Sequence, residues 1–260
     1  MINKLKSLST RLENIRAYPS EASLALALDK INNRKVLCKE HDLFTASHAI
    51  FNQLHCQSLG IKVPVLYNCH NTGRSIIVEQ EYIEGKDLFY QLLDKGKNTL
   101  PVMKILQQVL KEVKHYQKNH LSHLDIKLEN IIWSEESQKI RVIDFDIMQK
   151  HKPKCFTKLD CDYGTETYSS PEVFSDLRFH PNTDLWHVGL IGYILVMGYN
   201  PFCLENPTTT RHNFQYYAKK KLTRQNINDD LKDLIIALIH PNPVYRSYKT
   251  NKWLFNLCIL

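Results

Sequence analysis

Four polar residues stand close together in the 260-residue chain. Asp125, Lys127 and Asn130 fall within His123-Leu-Asp-Ile-Lys-Leu-Glu-Asn130, and Asp144 follows in Asp144-Phe-Asp146, fourteen residues beyond Asn130. Two carboxylates and an amide converging on one point offer the hard oxygen donors that a Mg²⁺ ion carrying phosphate requires. A lysine beside them supplies positive charge for a phosphoryl group in transfer. A lone Asp or Asn in a loop is ordinarily a cap or a turn residue. Four such groups at this spacing, between apolar runs, point instead to a site.

Convergence needs elements on either side. Asn130–Trp133 and Ile140–Asp144 are short apolar runs bracketing the polar turn Ser134–Lys139, which predicts a hairpin with Asp144 closing its second strand. Ahead of it, Pro101 to His120 places Val102, Ile105, Val109, Val113 and Tyr116 at steps of three and four. That is the period of an amphipathic helix, with Pro101 in its first turn. Past an irregular stretch over 147–171, residues 184–197 are apolar nearly all round and predict a buried central helix; Asp229–Ile239 reads as a further amphipathic one. The N-terminal third differs. Ser23–Asp29 and Lys35–Lys39 are extended runs around the turn Asn32-Asn33-Arg34, and Val63–Asn68 and Ser75–Gln80 predict two more strands. Between these pairs His41–Gln57 predicts one helix, with Phe44, Ile50, Phe51 and Leu54 on roughly one face. A β-rich part therefore precedes a larger helical part.

With 43% hydrophobic and 23% charged residues the composition is that of a folded domain, which excludes wholesale disorder. The net charge of +7 suits an anionic ligand. Its excess is spread along the chain with no run of five or six basic residues, so no nucleic-acid partner is expected. Seven scattered cysteines without a CxxC pair argue against a disulfide framework or structural zinc. The N-terminal residues hold no apolar core of a signal peptide, and no apolar run approaches ~20 residues. A cytoplasmic protein with reduced thiols and no membrane partner is the expectation.

These motifs together resemble the eukaryotic-type protein kinase superfamily over nearly the whole chain. The catalytic-loop pattern His-Arg-Asp-x-x-x-x-Asn matches His123–Asn130 except at Leu124, and Asp-Phe-Gly matches Asp144-Phe145-Asp146 except at its last position. Gly164-Thr165-Glu-Thr-Tyr168-Ser-Ser-Pro171-Glu172 resembles the end of the activation segment, and Asp184-Leu-Trp-His-Val-Gly189 the family's buried central helix. Glu81-Tyr-Ile-Glu-Gly85 resembles the hinge, and Asn242-Pro-Val-Tyr-Arg246 carries the arginine that pairs with Glu172 in the family.

The fold so implied is α+β and two-lobed: a β-rich small lobe of five strands and one helix over 1–82, and a larger helical lobe over 83–260, with the active cleft between. The resemblance also implies roles. Asp125 is the catalytic residue that accepts or orients the substrate hydroxyl proton, and Lys127 stabilises the γ-phosphoryl. Asn130 and Asp144 are the Mg²⁺ ligands. Lys39 contacts the α- and β-phosphates of ATP, and Leu24, Leu37, Glu81, Ile83 and Ile132 line the nucleotide pocket. His123 supports Phe145 from below. Lys127 with Thr165 resembles the Ser/Thr-specific branch, so the implied reaction is transfer of the ATP γ-phosphoryl to a protein hydroxyl. A regulatory protein partner is a further expectation.

The pattern breaks in several places. The phosphate-covering glycine loop would be Ala17-Tyr-Pro19-Ser-Glu-Ala22-Ser-Leu24, which has no glycine; Pro19 removes an amide and Glu21 adds an adverse charge, so ATP should be held less tightly. Leu37 replaces the alanine that borders adenine. The helix glutamate that orients the lysine becomes Ser47, with His48 beside it. Leu124 replaces the arginine that reads a phosphorylated activation loop, which implies activity independent of loop phosphorylation. Asp146 replaces a glycine, which stiffens the metal loop; its carboxylate either joins the metal site or faces solvent, and solvent is expected because a third acidic ligand is not required there. These losses support an alternative, a pseudokinase that binds partners and catalyses little; intact Lys39, Asp125, Lys127, Asn130 and Asp144 support the enzyme.

Overall fold

Alternation of buried and exposed side chains along the N-terminal runs builds a sheet, and the three-to-four period further on builds helices. The computed structural model describes residues 11–17, 23–97, 99–160, 164–203 and 209–246. The chain divides into two compact units, Met1–Glu84 and Gly85–Leu260.

The first unit is a five-stranded antiparallel sheet of β1 (Leu12–Ala17), β2 (Leu24–Asp29), β3 (Arg34–Asp42), β4 (Leu66–Asn71) and β5 (Ser75–Glu81), in the order β1-β2-β3-β5-β4. One face packs Leu12, Ala25, Ala27, Val36, Cys38 and Ile77 into an apolar cluster with Tyr67 against it. Two buried carboxylates border that cluster, and both are paired. Arg11 bonds Asp29 and Glu79, His70 bonds Glu79, and Arg34 bonds Asp29 while lying 3.4 Å above the Tyr67 ring. A buried carboxylate is tolerated only with such partners.

The other face meets α1 (Leu43–Ser58), which starts where the Asp42 carboxylate accepts from the amides of Phe44 and Thr45 at 2.8 and 2.9 Å. Its contact face is not the one the large apolar residues mark. Ala46, Ala49, Gln53 and Cys56 are buried, while Phe44, Phe51 and Leu54 are exposed. Small side chains let the helix lie close to the sheet, and Gln53 spans the gap, its Nε2 donating to Pro64 O at 2.6 Å and Gln80 Oε1 at 3.1 Å. That use of the Pro64 carbonyl, together with the missing proline amide, moves the start of β4 from the expected Val63 to Leu66.

The second unit opens with β6 (Lys86–Asp87), α2 (Leu88–Lys95) and α3 (Val102–Lys118), whose Val102, Ile105, Val109, Val113 and Tyr116 are all buried. β7 (Leu121–Ser122) follows, then the hairpin β8 (Ile131–Ser134) and β9 (Lys139–Val142), which β6 extends to three strands. The stretch after it carries β10 (Gln149–Lys150), paired with β7, and β11 (Thr157–Lys158). α4 (Pro171–Asp176), β12 (Arg178–Phe179), paired with β11, α5 (Thr183–Met197), α6 (Phe214–Leu222) and α7 (Asp229–Leu238) complete it.

Every residue of α5 except Met197 is buried. Its two glycines make this possible. A Cβ at Gly189 would sit 2.6 Å from Ile239 Cγ2, and one at Gly192 would sit 2.7 Å from Leu106 Cδ1, so only glycine admits α3 and the end of α7 this closely. Among the described residues no helix is long and apolar enough to cross a membrane. The described cysteines are free thiols, Cys38 and Cys56 buried and Cys69, Cys155 and Cys203 exposed.

Candidate active site

Asp125 lies in the loop between β7 and the hairpin, and its backbone is anchored from below. The amides of His123 and Leu124 donate to Asp184 Oδ2 and Oδ1 at 2.8 and 2.9 Å, from a carboxylate at the first turn of α5 with no exposure. Burial alone would raise the Asp184 pKa. The His187 imidazole, 3.4 Å away, and the donated Leu124 amide outweigh it and hold the carboxyl below its usual range. His123 is fully buried, its ring centroid 4.9 Å from that of Phe145, with Tyr116 packed edge-on to Phe145. Burial pushes the His123 pKa down, which suits a neutral packing residue.

Asp125, Lys127 and Thr165 form a closed ring of polar contacts. Lys127 Nζ stands 2.8 Å from Asp125 Oδ2 and donates to Thr165 Oγ1 at 2.8 Å. Thr165 Oγ1 donates to Asp125 Oδ1 at 2.8 Å. Asn130 Nδ2 donates to Asp125 Oδ2 at 3.0 Å and to its carbonyl at 2.9 Å. Gly164, at φ 86, passes under this loop where a Cβ would meet the Leu124 carbonyl at 2.8 Å. The Ile143 amide donates to Asn130 O at 2.9 Å, and the next residue, Asp144, takes the left-handed backbone at φ 64. Asp146, directly after the buried Phe145, is half-buried.

The donor set suits a cation that arrives with phosphate. No group of three or more His, Cys, Asp or Glu poised for a metal exists among the described residues, so no resident cage is present. Asn130 spends its amide nitrogen on Asp125, which leaves its carbonyl oxygen as a donor that, with the Asp144 carboxylate, would hold such a cation. One carboxylate and one amide oxygen completed by phosphates is the usual Mg²⁺ arrangement.

The sequence-predicted residues thus fall in two sets. Asp125, Lys127, Asn130, Asp144 and Ile132, which lies on β8, belong to the second unit. In the first unit Leu24 and Lys39 are register partners on β2 and β3, Val78 faces Lys39 from β5, and Leu37 pairs with Gln80. These side chains share the sheet face that meets α1. Glu81 ends β5 and Ile83 follows it, both half-buried. Tyr18–Ala22 of the expected phosphate loop lie outside the described residues. Ser47 is exposed and donates to Phe44 O at 2.9 Å, and α1 contains no acidic residue. Two residues that hydrogen-bond the Asp125 loop stand outside the sequence-based set of site residues. Thr165 entered only as a mark of specificity, and Asp184 only as part of a buried helix; its one signal was a carboxylate in an otherwise apolar run.

The activation-segment end is fixed at both sides. Leu124, at φ 67, packs with Leu159, Val173 and Phe179, and Ile147 lies against them. Glu172 and Arg246 form a buried two-pronged ion pair, Nη1–Oε1 and Nη2–Oε2 each 2.6 Å, with Thr183 Oγ1 donating to Glu172 at 2.8 Å.

The family model described as "Protein kinase domain" matches residues 15–252. The chain belongs to the protein kinase family. Membership implies the use of ATP with a divalent cation in general. Among curated relatives, rat myosin light chain kinase 2, skeletal/cardiac muscle, is 29% identical over 92% of this kinase chain and 40% of its own length. Human myosin light chain kinase family member 4 is 30% identical over 67% of this chain and 46% of its own length. The titin homolog of Caenorhabditis elegans is 32% identical over 64% of this chain and 1% of its own. The kinase chain thus spans less than half of these relatives.

Proposed function

We propose that this kinase transfers the γ-phosphoryl group of ATP to a Ser or Thr hydroxyl of a protein, in the cytoplasm and with Mg²⁺ as the cation. The observation that carries the reading is the ring formed by Asp125, Lys127 and Thr165. Asp125 Oδ atoms, held by donors on three sides, are positioned to accept the proton of an incoming hydroxyl. Lys127 balances negative charge growing on the transferring group, and Thr165 keeps lysine and aspartate in register. Asn130 and Asp144 would hold the cation that neutralises the phosphates. Positioning and charge stabilisation supply most of the rate in such transfers.

A second reading, a kinase-shaped binding module with little turnover, draws support from α1, where Ser47 stands in place of the orienting glutamate and bonds its own helix. One experiment separates the two. The protein is incubated with labelled ATP and Mg²⁺ on a mixed peptide library, and labelled residues are identified. The proposal expects label on Ser and Thr, reduced by about 10²–10⁴ in Asp125→Asn, the usual worth of a proton acceptor. Equal label in wild type and variant, or label on Tyr alone, would sink it.

A further inference from the structure

The net charge of +7 is concentrated more than the linear sequence suggests. Between Glu205 and Asp229 there is no acidic residue, whereas Arg211, Lys219, Lys220, Lys221 and Arg224 all fall there. Folding gathers most of them at α6. Phe214, Ala218 and Leu222 fill its buried side. Tyr216, Lys219, Lys220 and Thr223 lie exposed on the other, and Arg224 extends that side into the following turn. Lys221 turns aside to the Tyr217 ring, 5.4 Å away. Among the described residues no carboxylate stands within ion-pair distance of Lys219, Lys220 or Arg224. Lysines in a last helical turn also favour the helix dipole, which accounts for their place along α6 but not for the missing counter-charge.

The N-terminal side of the same element reaches the activation segment. Arg211 Nε donates to Ser169 O at 3.0 Å and Nη2 to Glu166 O at 2.7 Å, with the guanidinium 3.7 Å from the Phe174 ring. The element that carries the basic face is therefore tied through one side chain to the backbone of the segment that carries Thr165.

We propose that the exposed face of α6 is a docking surface for an acidic, Asp- or Glu-rich segment of the protein substrate. The proposal rests on the kinase reading above for the word substrate, and on charge complementarity for the docking. The nine-residue helix is about 14 Å long, and the positive face ends at α7, whose first residue Asp229 is 90% exposed. A phosphodiester track or an anionic membrane is gripped by a broader positive surface. A few residues of extended acidic chain match this length.

The test uses the full chain and a fluorescein-labelled glutamate-rich peptide, followed by anisotropy at low and physiological salt. Binding should weaken with salt and fall about tenfold or more in the combined Lys219→Glu, Lys220→Glu, Arg224→Glu variant. The corresponding Gln variant, which keeps side-chain length, should show an intermediate loss. In turnover, joining the acidic segment to an acceptor peptide should lower its KM, and the ratio of KM with and without the segment should rise toward one in the Glu variant. Peptide binding that survives both variants overturns the docking surface, as does tighter binding of a single-stranded oligonucleotide or of phosphatidylserine vesicles. Binding lost on charge reversal in a protein without turnover upholds the surface and sinks the kinase reading instead.

Discussion

Thr165 bridges two groups of opposite charge through a single hydroxyl, donating to Asp125 and accepting from Lys127. Replacing it with Val keeps the shape and deletes both bonds. A hydrogen bond to a charged group is worth about 1.5–3 kcal/mol, so Thr165→Val should lower kcat by about tenfold to a hundredfold, and Thr165→Ser should restore most of it. Steady-state phosphorylation of a Ser peptide, with KM recorded separately, checks this; an unchanged kcat in the Val variant removes Thr165 from the ring's function. Asp125, Lys127 and Asn130 were legible in the sequence because one turn carries all three. Thr165 and Asp184 lie 38 or more positions from the residues they bond and meet that turn only through the tertiary fold, so spacing alone could not assign them.

Elements hold the activation segment by two unlike means, and the apolar one stands where an arginine was expected. Leu124 is buried among Leu159, Val173 and Phe179, so the segment is seated by packing that needs no phosphate. Leu124→Ala should cost about 2–4 kcal/mol in denaturant unfolding. Treating the wild-type chain with a phosphatase or an upstream kinase should change turnover less than twofold. A large rise after phosphorylation would show that packing does not substitute for charge. The element scale is also where sequence periodicity misled. In α1 the large apolar residues suggested the inner face, but close approach to the sheet selects Ala46 and Ala49 and turns Phe44 and Phe51 outward. In α3, which has room for long side chains at its interface, the period gave the buried face correctly.

At the scale of the whole molecule, the helical unit is locked by buried carboxylates. Burial acts on Glu172 to raise its pKa, but the Arg246 charge and hydrogen bonds prevail and lower it from its ordinary 4.5; Asp184 is likewise held below 3.8. Both groups bind their protons less readily when folded. Their stabilisation is complete above about pH 4.5 and is lost as pH falls through the lowered values. Urea unfolding should therefore show stability falling in two stages, first below about pH 6.5, where the buried imidazoles of His123, His151 and His180 take up protons less readily folded than unfolded, and again below about 4.5. Arg246→Leu should cost about 3–5 kcal/mol at neutral pH, and that loss should shrink as pH falls through about 4.5, because burial without the arginine raises the Glu172 pKa and the carboxyl sheds its unpaired charge; a loss that stays constant with pH would separate acid stability from this pair. The order of units and the existence of the central helix followed from composition and periodicity, whereas the closeness of its packing depends on two glycines that sequence left unexplained. That closeness has a kinetic consequence. The amides of α5 lie inside a helix buried on every side, with Ile239 and Leu106 seated against Gly189 and Gly192. Solvent deuterium can reach them only when the surrounding helices separate, so their exchange rate becomes a clock for the opening of the entire unit.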